Sequence, residues 1–455
     1  MKIKFIDFLD NSYVKINFGN DLKIIPDLYC IGKIKNDYVF YSSLLNRVFL
    51  LDKEAKKLLD SQKVPEDKQK IFSRAKLFLS KDSSIFRSYC NPYTKFRYYS
   101  DLFILLTTDC NLKCKYCFAQ GGDVKETIDF DFIKTALDYI SERNKKSLKI
   151  YFHGGGEPSL EIGLIKKIIK YAEKKIDKLD FGIQINGVLP KTALVYLMKN
   201  NFQLSVSIDG PSYIQDKQRP LKGGGQSSPF VEKTIKFLTK NNYPFSVRST
   251  ISTFSVTKQK EIIRHFHKLD IKSVHFEPIF EAGRSLKPKD NFSKAPDLDL
   301  YIENYLEAKK IADELNIRLI SAFLPVYRRS CAHCGASIPN MFLTPDGYIS
   351  CCYEAYLGRM APKELIYGRF DKKRKKLLFN QRRISYLQKR IVCNMQSCQN
   401  CFLKWNCAGG CHSKTIALTG DMFKVNLGRC NAKRKCSKEY LLYKVEKELY
   451  SIKIK

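Results

Sequence analysis

Between residues 102 and 315, short apolar runs alternate with stretches of helical spacing, and this alternation narrows the fold more than any other feature. "LFILLTT" (102–108) reads as a strand, and "FDFIKTALDYISERN" (130–144) as a helix with apolar residues three and four apart. The strands "KIYFHGG" (149–155), "FGIQING" (181–187), "LSVSIDG" (204–210), "FSVRSTI" (245–251) and "SVHFEPI" (273–279) follow, each with a helix after it, the last being "YIENYLEAKKIADEL" (301–315). Strands that are apolar throughout and alternate with helices imply a parallel sheet covered on both faces. Six such units predict an α/β fold, a partial, open (β/α)6 barrel of TIM-like type rather than the closed eight-fold one.

The flanks differ from this core. Residues 1–95 read as an α+β extension, with a strand pair at "KIKFIDF" and "YVKINF", then two strands running into a helix in "YVFYSSLLNRVFLLDKEAKKLLDSQ". The barrel takes 96–325, and 326–455 is a loop-rich domain holding eleven of the sixteen cysteines. At that density metal substitutes for core. A hydrophobic content of 44% excludes wholesale disorder. No run approaches the ~18 apolar residues of a membrane span, and Asp7 and Asp10 interrupt any signal-peptide core. A cytoplasmic protein is expected, its cysteines reduced and serving as metal ligands rather than disulfides.

The formal charge of +34 raises the question of a polyanionic partner. The excess is mostly scattered lysine, densest in "FDKKRKKLLFNQRR" (370–383). It lacks interleaved aromatics and any nucleic-acid fold motif, which disfavours a nucleic-acid partner and leaves a generally basic surface or an acidic peptide.

"CNLKCKYCF" (110–118) places Cys110, Cys114 and Cys117 directly after the first barrel strand. Ligands of such sheets bind at the carboxyl ends of strands. A structural zinc site wants four ligands and a closed iron–sulfur cube four thiolates. Three thiolates around a [4Fe–4S] cube leave one iron open, and an open iron chelates a small molecule through an amine and a carboxylate. The alternative, a zinc knuckle short of one ligand, fits the C-x3-C-x2-C spacing less well than C-x2-C would.

At these residues the chain resembles the radical S-adenosylmethionine (radical SAM) enzymes, Tyr116 before the last cysteine included. In that family the open iron binds the methionine end of SAM, whose reductive cleavage yields a 5′-deoxyadenosyl radical that abstracts a substrate hydrogen. The resemblance extends to "GGEP" at the end of the second strand, where Gly155, Gly156 and Glu157 would hold the methionine amine. It extends also to "SVSIDGP" with Ser207, near the ribose, and Asp209, and to Arg219, twelve residues after the serine, which would fork onto the methionine carboxylate. Asn186 and Gly187 on the third strand fit more loosely.

"CQNCFLKWNCAGGC" sets Cys398, Cys401, Cys407 and Cys411 in a C-x2-C-x5-C-x3-C array. The array is similar to that of the SPASM domain, a carboxy-terminal extension with two auxiliary [4Fe–4S] clusters. By that pattern Cys398, Cys401, Cys407 and Cys430 hold one cluster, and Cys334, Cys352 (of the G-x4-C element that starts at Gly347) and Cys411 hold the other. Its fourth ligand is open between Cys331, the first choice, Cys351 and a free iron site. Cys30, Cys90, Cys393 and Cys436 are expected to be buried thiols.

Enzymes of this kind are oxidoreductases that mostly act on peptide or protein side chains, with a flavodoxin- or ferredoxin-type reductant. Two outcomes are implied: thioether or carbon–carbon crosslinks in ribosomal peptides, or formylglycine in sulfatases. Sulfatase maturases lack a hundred-residue amino-terminal extension, whereas peptide-crosslinking relatives often carry a leader-recognition domain there; a structural lid is the other reading of residues 1–95. Sulfatase maturases also place an aspartate base after the cysteine of the G-x4-C element. Here Tyr353 and then Glu354 follow Cys352, and a phenol with pKa near ~10 is a poor base at neutral pH. A peptide maturase is therefore expected. Anaerobically reconstituted protein should carry about twelve irons in three cubes, and Cys110→Ala, Cys114→Ala and Cys117→Ala together should remove about four of them. That triple variant should also lose SAM cleavage. Iron near four in the intact protein, or zinc in its place, contradicts the auxiliary clusters.

Overall fold

The computed structural model describes residues 3–7, 23–24, 27–61, 63–75, 77–79, 100–286 and 290–450. The "YVKINF" strand, Cys90 and residues 287–289 lie outside them. The chain divides into two compact units: Met1–Lys95 with Ala322–Ser337 and Lys389–Lys455, and Phe96–Ser321 with Ile338–Gln388.

The first unit begins with β1 (Ile3–Asp7), β2 (Lys23–Ile24), β3 (Leu28–Ile34), β4 (Asp37–Ser42), β5 (Arg47–Leu51) and β6 (Phe78–Leu79). They form an antiparallel sheet ordered β1-β5-β4-β3 and a separate β2-β6 pair. The strand–strand–helix order read from the sequence is present as β4, β5 and the helix Lys53–Ser61. β5 is buried along its whole length, because Phe49 and Leu51 share a core with Phe40, Ala55, Leu59 and Phe72. Val392, Met395, Cys398, Trp405 and Ala408, from the far end of the chain, complete that same core. Two polar ties reinforce it: the Trp405 indole N–H donates to Asp27 Oδ2 at 2.7 Å, and the Tyr41 hydroxyl to Asn406 Oδ1 at 2.9 Å. Extension and cysteine-rich tail thus bury one set of apolar side chains, which is how two segments too small for separate cores become stable.

The second unit holds all six strands expected of the barrel: β7 (Asp101–Leu105), β8 (Ser147–His153), β9 (Lys178–Ile185), β10 (Gln203–Ser207), β11 (Phe245–Ile251) and β12 (Ser273–Pro278). They pair in sequence order, all parallel, and β13 (Arg318–Ile320) adds a seventh. One face is apolar and buried, with Leu148, Ile150 and Phe152 of β8, Leu204 and Val206 of β10, and Val274 and Phe276 of β12. The strands are not apolar throughout. Side chains alternate across a strand, and the other face carries Gln184, Ser205, Arg248, His275 and Glu277. A polar inner face is what a ligand-holding barrel keeps and a filled one lacks.

The sheet continues past β7. β14 (Met341–Leu343) pairs parallel with β7, followed by antiparallel β15 (Tyr348–Ser350), β16 (Ile366–Asp371) and β17 (Lys376–Phe379), giving eleven strands. Phe342, Phe103 and Tyr151 lie directly opposite one another in register, with ring centroids 4.1 and 4.9 Å apart. Such cross-strand aromatic pairs fix register. The stretch 326–455 is accordingly shared between the two units. The basic cluster 370–383 spans the β16–β17 hairpin, where Lys372 pairs with Asp129 at 2.8 Å and Lys375 with Asp131 at 3.4 Å. Part of its charge is thereby answered at the start of the helix Phe130–Ser141, where carboxylates are favoured.

The loops after β7 and β8 touch backbone to backbone. Gly156 N–H donates to Thr107 O at 2.9 Å and Glu157 N–H to Asp109 O at 2.7 Å, and a Cβ on Gly156 would stand 1.9 Å from Asp109 O. Gly156→Ala is expected to cost at least about 1–3 kcal/mol through overpacking, while Gly163→Ala, with nothing within 4 Å of its Cβ, gains a fraction of a kcal/mol as a helical Gly→Ala change. Thermal unfolding of the two variants checks this.

Candidate active site

The loop that leaves β7 carries the three cysteines, and a second segment holds it from the side. Lys113 N–H donates to Pro220 O, Lys115 N–H to Gln218 O and Lys222 N–H to Asn111 O, at 2.8, 2.9 and 2.9 Å. Cys110 Sγ accepts the Leu112 N–H and Cys117 Sγ the Gly121 N–H, each at 3.4 Å. Burial pushes the Cys110 thiol up to about 12 and the Cys114 thiol up to about 11, and the thiols repel one another's charge further. Only a bound cation makes such a group a set of thiolates. Among the described residues no three His, Cys, Asp or Glu side chains are grouped as one ion would require. A single tetrahedral zinc needs its sulfurs within about 4 Å of each other, whereas a cube binds each thiolate to a different iron.

Beside the thiols runs a buried polar network. The Tyr116 hydroxyl donates to Asp209 Oδ2 at 2.6 Å, Gln218 Nε2 donates to the same oxygen at 2.7 Å, and the Thr250 N–H donates to Oδ1 at 3.0 Å. Arg219 Nη1 donates to the Tyr116 hydroxyl at 2.8 Å and lies 3.9 Å from Asp209 Oδ1. Asp209 is fully buried and Arg219 8% exposed. Arg219 Nε is buried with no hydrogen-bond partner among the described residues. An orphaned guanidinium donor near the Cys114 thiol is a ready partner for a carboxylate. Ser207, at the end of β10, accepts from Gln184 Nε2 at 2.9 Å.

Glu157 also has a structural task. Its Oε1 accepts the Ser159 N–H at 3.0 Å and its Oε2 the Asn186 N–H at 2.7 Å, so the side chain ties the ends of β8 and β9 together. Burial pushes its carboxyl up to about 7, against the lowering effect of those bonds. Gly155 and Gly156 provide close approach: a Cβ on Gly121 would lie 2.7 Å from Gly155 O. Arg284 was missed. Its Nη1 donates to Cys114 O at 3.1 Å, its Nη2 to Gly121 O at 2.7 Å, and its backbone N–H to Cys117 O at 3.1 Å. Gly283, at φ +56°, lets it approach, since a Cβ there would sit 2.3 Å from Phe118 O. The signal was a Gly-Arg pair in the loop just beyond the sixth strand.

The sequence profile of the Radical SAM superfamily matches residues 104–276, the stretch that contains this loop and network. This part of the chain is a radical SAM domain. A Cysteine-type anaerobic sulfatase-maturating enzyme of Clostridium perfringens is 24% identical over 331 residues, 67% of this chain and 86% of that one. An uncharacterized protein of Methanocaldococcus jannaschii is 28% identical over 201 residues, 44% of this chain and 67% of the other. Among solved structures, anSMEcpe with bound AdoMet superposes with a TM-score of 0.62 at 19% identity, covering 78% of this chain and all of that one. Streptococcus suis SuiB bound to S-adenosylmethionine gives 0.55 at 14%, covering 90% and 99%. Radical SAM enzymes use a [4Fe–4S] cluster and SAM, and the three thiols and the orphaned Arg219 donor fit both.

The barrel unit also carries an aromatic shelf beside the cysteine loop. Tyr353 stacks on His153, at the end of β8, with centroids 4.9 Å apart, and Phe118 of the cysteine loop stands edge-on to Tyr353 and Tyr356 at 6.2 and 6.1 Å.

In the other unit a recess is lined by Cys398, Cys401, Cys407 and Cys430, the four that the sequence groups together. Burial pushes the Cys398 thiol up to about 12, with the other three thiols adding to it. Lys433 Nζ, itself buried, donates to Cys407 Sγ at 3.5 Å. Cys334 and Cys411 are near enough to perturb each other, and Cys334 Sγ is 4.0 Å from His412 Nδ1. Cys352 belongs to the barrel unit, where its Sγ accepts the Glu354 N–H at 3.4 Å. Cys331 is buried in the apolar core around Trp405, and Cys351 is buried too. Of the cysteines expected to be buried thiols, Cys436 is buried, Cys30 is exposed, and Cys393 is disulfide-bonded rather than a thiol.

Replacing Arg219 by Ala should weaken SAM binding by about 1.5–3 kcal/mol, the worth of a charge-assisted, partly desolvated contact. Glu157→Gln should also lower thermal stability, because an amide offers one acceptor oxygen where the carboxylate uses two. Calorimetric titration of SAM into reconstituted protein, alongside melting curves, separates the two; unchanged affinity in Arg219→Ala reduces that residue to a loop contact.

Proposed function

We propose that this radical SAM enzyme matures a peptide, forming a thioether or carbon–carbon crosslink in a short ribosomal product. Cys110, Cys114 and Cys117 hold the SAM-binding cluster, Arg219 takes the methionine carboxylate, and Ser207 and Asp209 line the same site. When bound, the cluster and SAM supply the 5′-deoxyadenosyl radical. The chain's own groups orient SAM and exclude water around it: Tyr116 and Asp209 fix the guanidinium, and the Phe118–Tyr353–Tyr356 shelf borders the site. A SPASM-type tail holds two auxiliary clusters, one on Cys398, Cys401, Cys407 and Cys430, the other drawing on Cys334 and Cys411, with Cys331 as a further candidate.

The observation that carries the choice of reaction is Tyr353 stacked on His153. The position after the G-x4-C cysteine, at which sulfatase maturases place a base, bears a phenol packed on an aromatic ring. A phenol of pKa near ~10 does not take a proton at neutral pH. Two further points support a peptide substrate. anSMEcpe is known with bound Kp18Cys peptide and SuiB bound to precursor peptide SuiA, and SuiB matches more of this chain, 90% against 78%. The sulfatase-maturase reading is supported by the 86% coverage of the Clostridium perfringens enzyme, by other sulfatase-maturating relatives, and by the higher TM-score of anSMEcpe, 0.62 against 0.55 for SuiB.

The test offers reduced enzyme and SAM two substrates: any short Cys-rich or repeat-bearing peptide found encoded beside its gene, and a peptide bearing a sulfatase Cys or Ser motif. The first should lose two hydrogens and acquire a crosslink visible in tandem mass spectra, and the second should remain unchanged. Formylglycine on the second peptide, lost again in Glu354→Gln, reverses the assignment.

A further inference from the structure

Near both cysteine groups of the first unit lies an arginine with no exposed surface. Arg390 Nε donates to Met422 O at 2.7 Å and Nη2 to Gly409 O at 2.9 Å, while Nη1 is buried without a partner among the described residues. The turn it grips joins Cys407, of one group, to Cys411, of the other. Ala408, Gly409 and Gly410 have φ of 50°, 81° and 77°, and this left-handed run brings the main chain onto the guanidinium. A Cβ on Gly409 would stand 3.0 Å from Nη1 and 2.2 Å from Met395 Sδ. Only glycine fits there.

A guanidinium cannot shed its proton inside a protein, and a buried charge without an opposite charge costs several kcal/mol. Among the described residues Arg390 has no ion pair with a carboxylate. The groups that favour its charge are four thiols, Cys334 and Cys411 of one group and Cys398 and Cys407 of the other. Neutral thiols are poor counter-ions. Thiolates on anionic clusters are good ones.

We infer that Arg390 is a positioning residue shared by both auxiliary clusters, a fixed cation that raises their reduction potentials. The inference rests on the auxiliary clusters proposed above. Reduction adds one electron, and so one negative charge, to a cluster, and a nearby fixed cation in a dry site favours the reduced form. Nη1, the buried donor left without a partner among the described residues, is available to a cluster sulfur, and such a bond would act in the same direction. Lys433, near Cys407 and Cys430 of a single group, would act on one cluster only.

The test is a redox titration with dithionite, followed by electron paramagnetic resonance, on reconstituted full-length Arg390→Gln and Arg390→Lys. With both auxiliary clusters loaded, Arg390→Gln should show at least a tenfold fall in the reduced-to-oxidised ratio of each auxiliary cluster at a given potential, about 59 mV for one electron. Arg390→Lys should restore most of it, and the SAM-binding cluster should be unmoved in both. A purely structural grip on Met422 and Gly409 would leave the potentials unchanged at full iron content, and that result overturns the inference. If Arg390→Gln fails to load the auxiliary clusters, Arg390→Lys decides: retention of both supports a charge role, and loss of both overturns it. Wild-type protein with about four irons refutes the auxiliary clusters themselves, a separate failure from unchanged potentials in a fully loaded variant.

Discussion

A fully buried carboxylate organises the barrel site. Asp209 receives the Tyr116 hydroxyl, the Gln218 amide and the Thr250 backbone N–H, with Arg219 just beyond hydrogen-bond range. An unanswered charge in such surroundings costs several kcal/mol, and removing one partner of a buried ion pair typically costs about 3–5 kcal/mol. The donors come from three separate parts of the chain: the cysteine loop, the segment after β10, and β11. To satisfy Asp209 they must assemble, and in assembling they lay the 218–222 segment along the cysteine loop and hold the guanidinium beside the thiols. Glu157 performs the same service on the other side, between β8 and β9.

The other unit is governed by the opposite charge balance. Among the described residues its buried ions are the cations Arg47, Arg390 and Lys433, and the groups around Arg390 that favour its charge are thiols. The apolar core that encloses them is completed by the amino-terminal sheet. Removing residues 1–95 would therefore expose Phe-, Leu- and Trp405-lined surface as well as any recognition face, so the role of the extension is better probed by surface substitution than by truncation.

The barrel was legible because its signals are local. Six strands and their helices are written in apolar spacing, and the catalytic-loop cysteines and the Arg219 offset are short motifs. The tail array was also legible, since Cys398, Cys401, Cys407 and Cys430 do line one recess. What stayed hidden depends on distant pairing. β14 has three residues, too few for a period, and joins the sheet only because β7 offers an edge with Phe103 opposite Phe342. Arg284 carries no motif and acts through backbone carbonyls of a loop more than a hundred residues away. The Glu of "GGEP" looks like a ligand by type, and its engagement with two amides follows from the strand ends that surround it. The strands seemed apolar on both faces because the helix-facing residues dominate each run, while the polar inner positions are single letters between them.

The central claim is that the three thiols hold a cluster whose open iron faces the Arg219 donor. Electron–nuclear double resonance on the reduced protein, with SAM labelled at the methionine nitrogen and carboxylate oxygens, tests it most directly. Hyperfine coupling from both labels to the cluster is the predicted result. A cluster signal that SAM leaves unchanged, with no coupling from either label, would contradict the account.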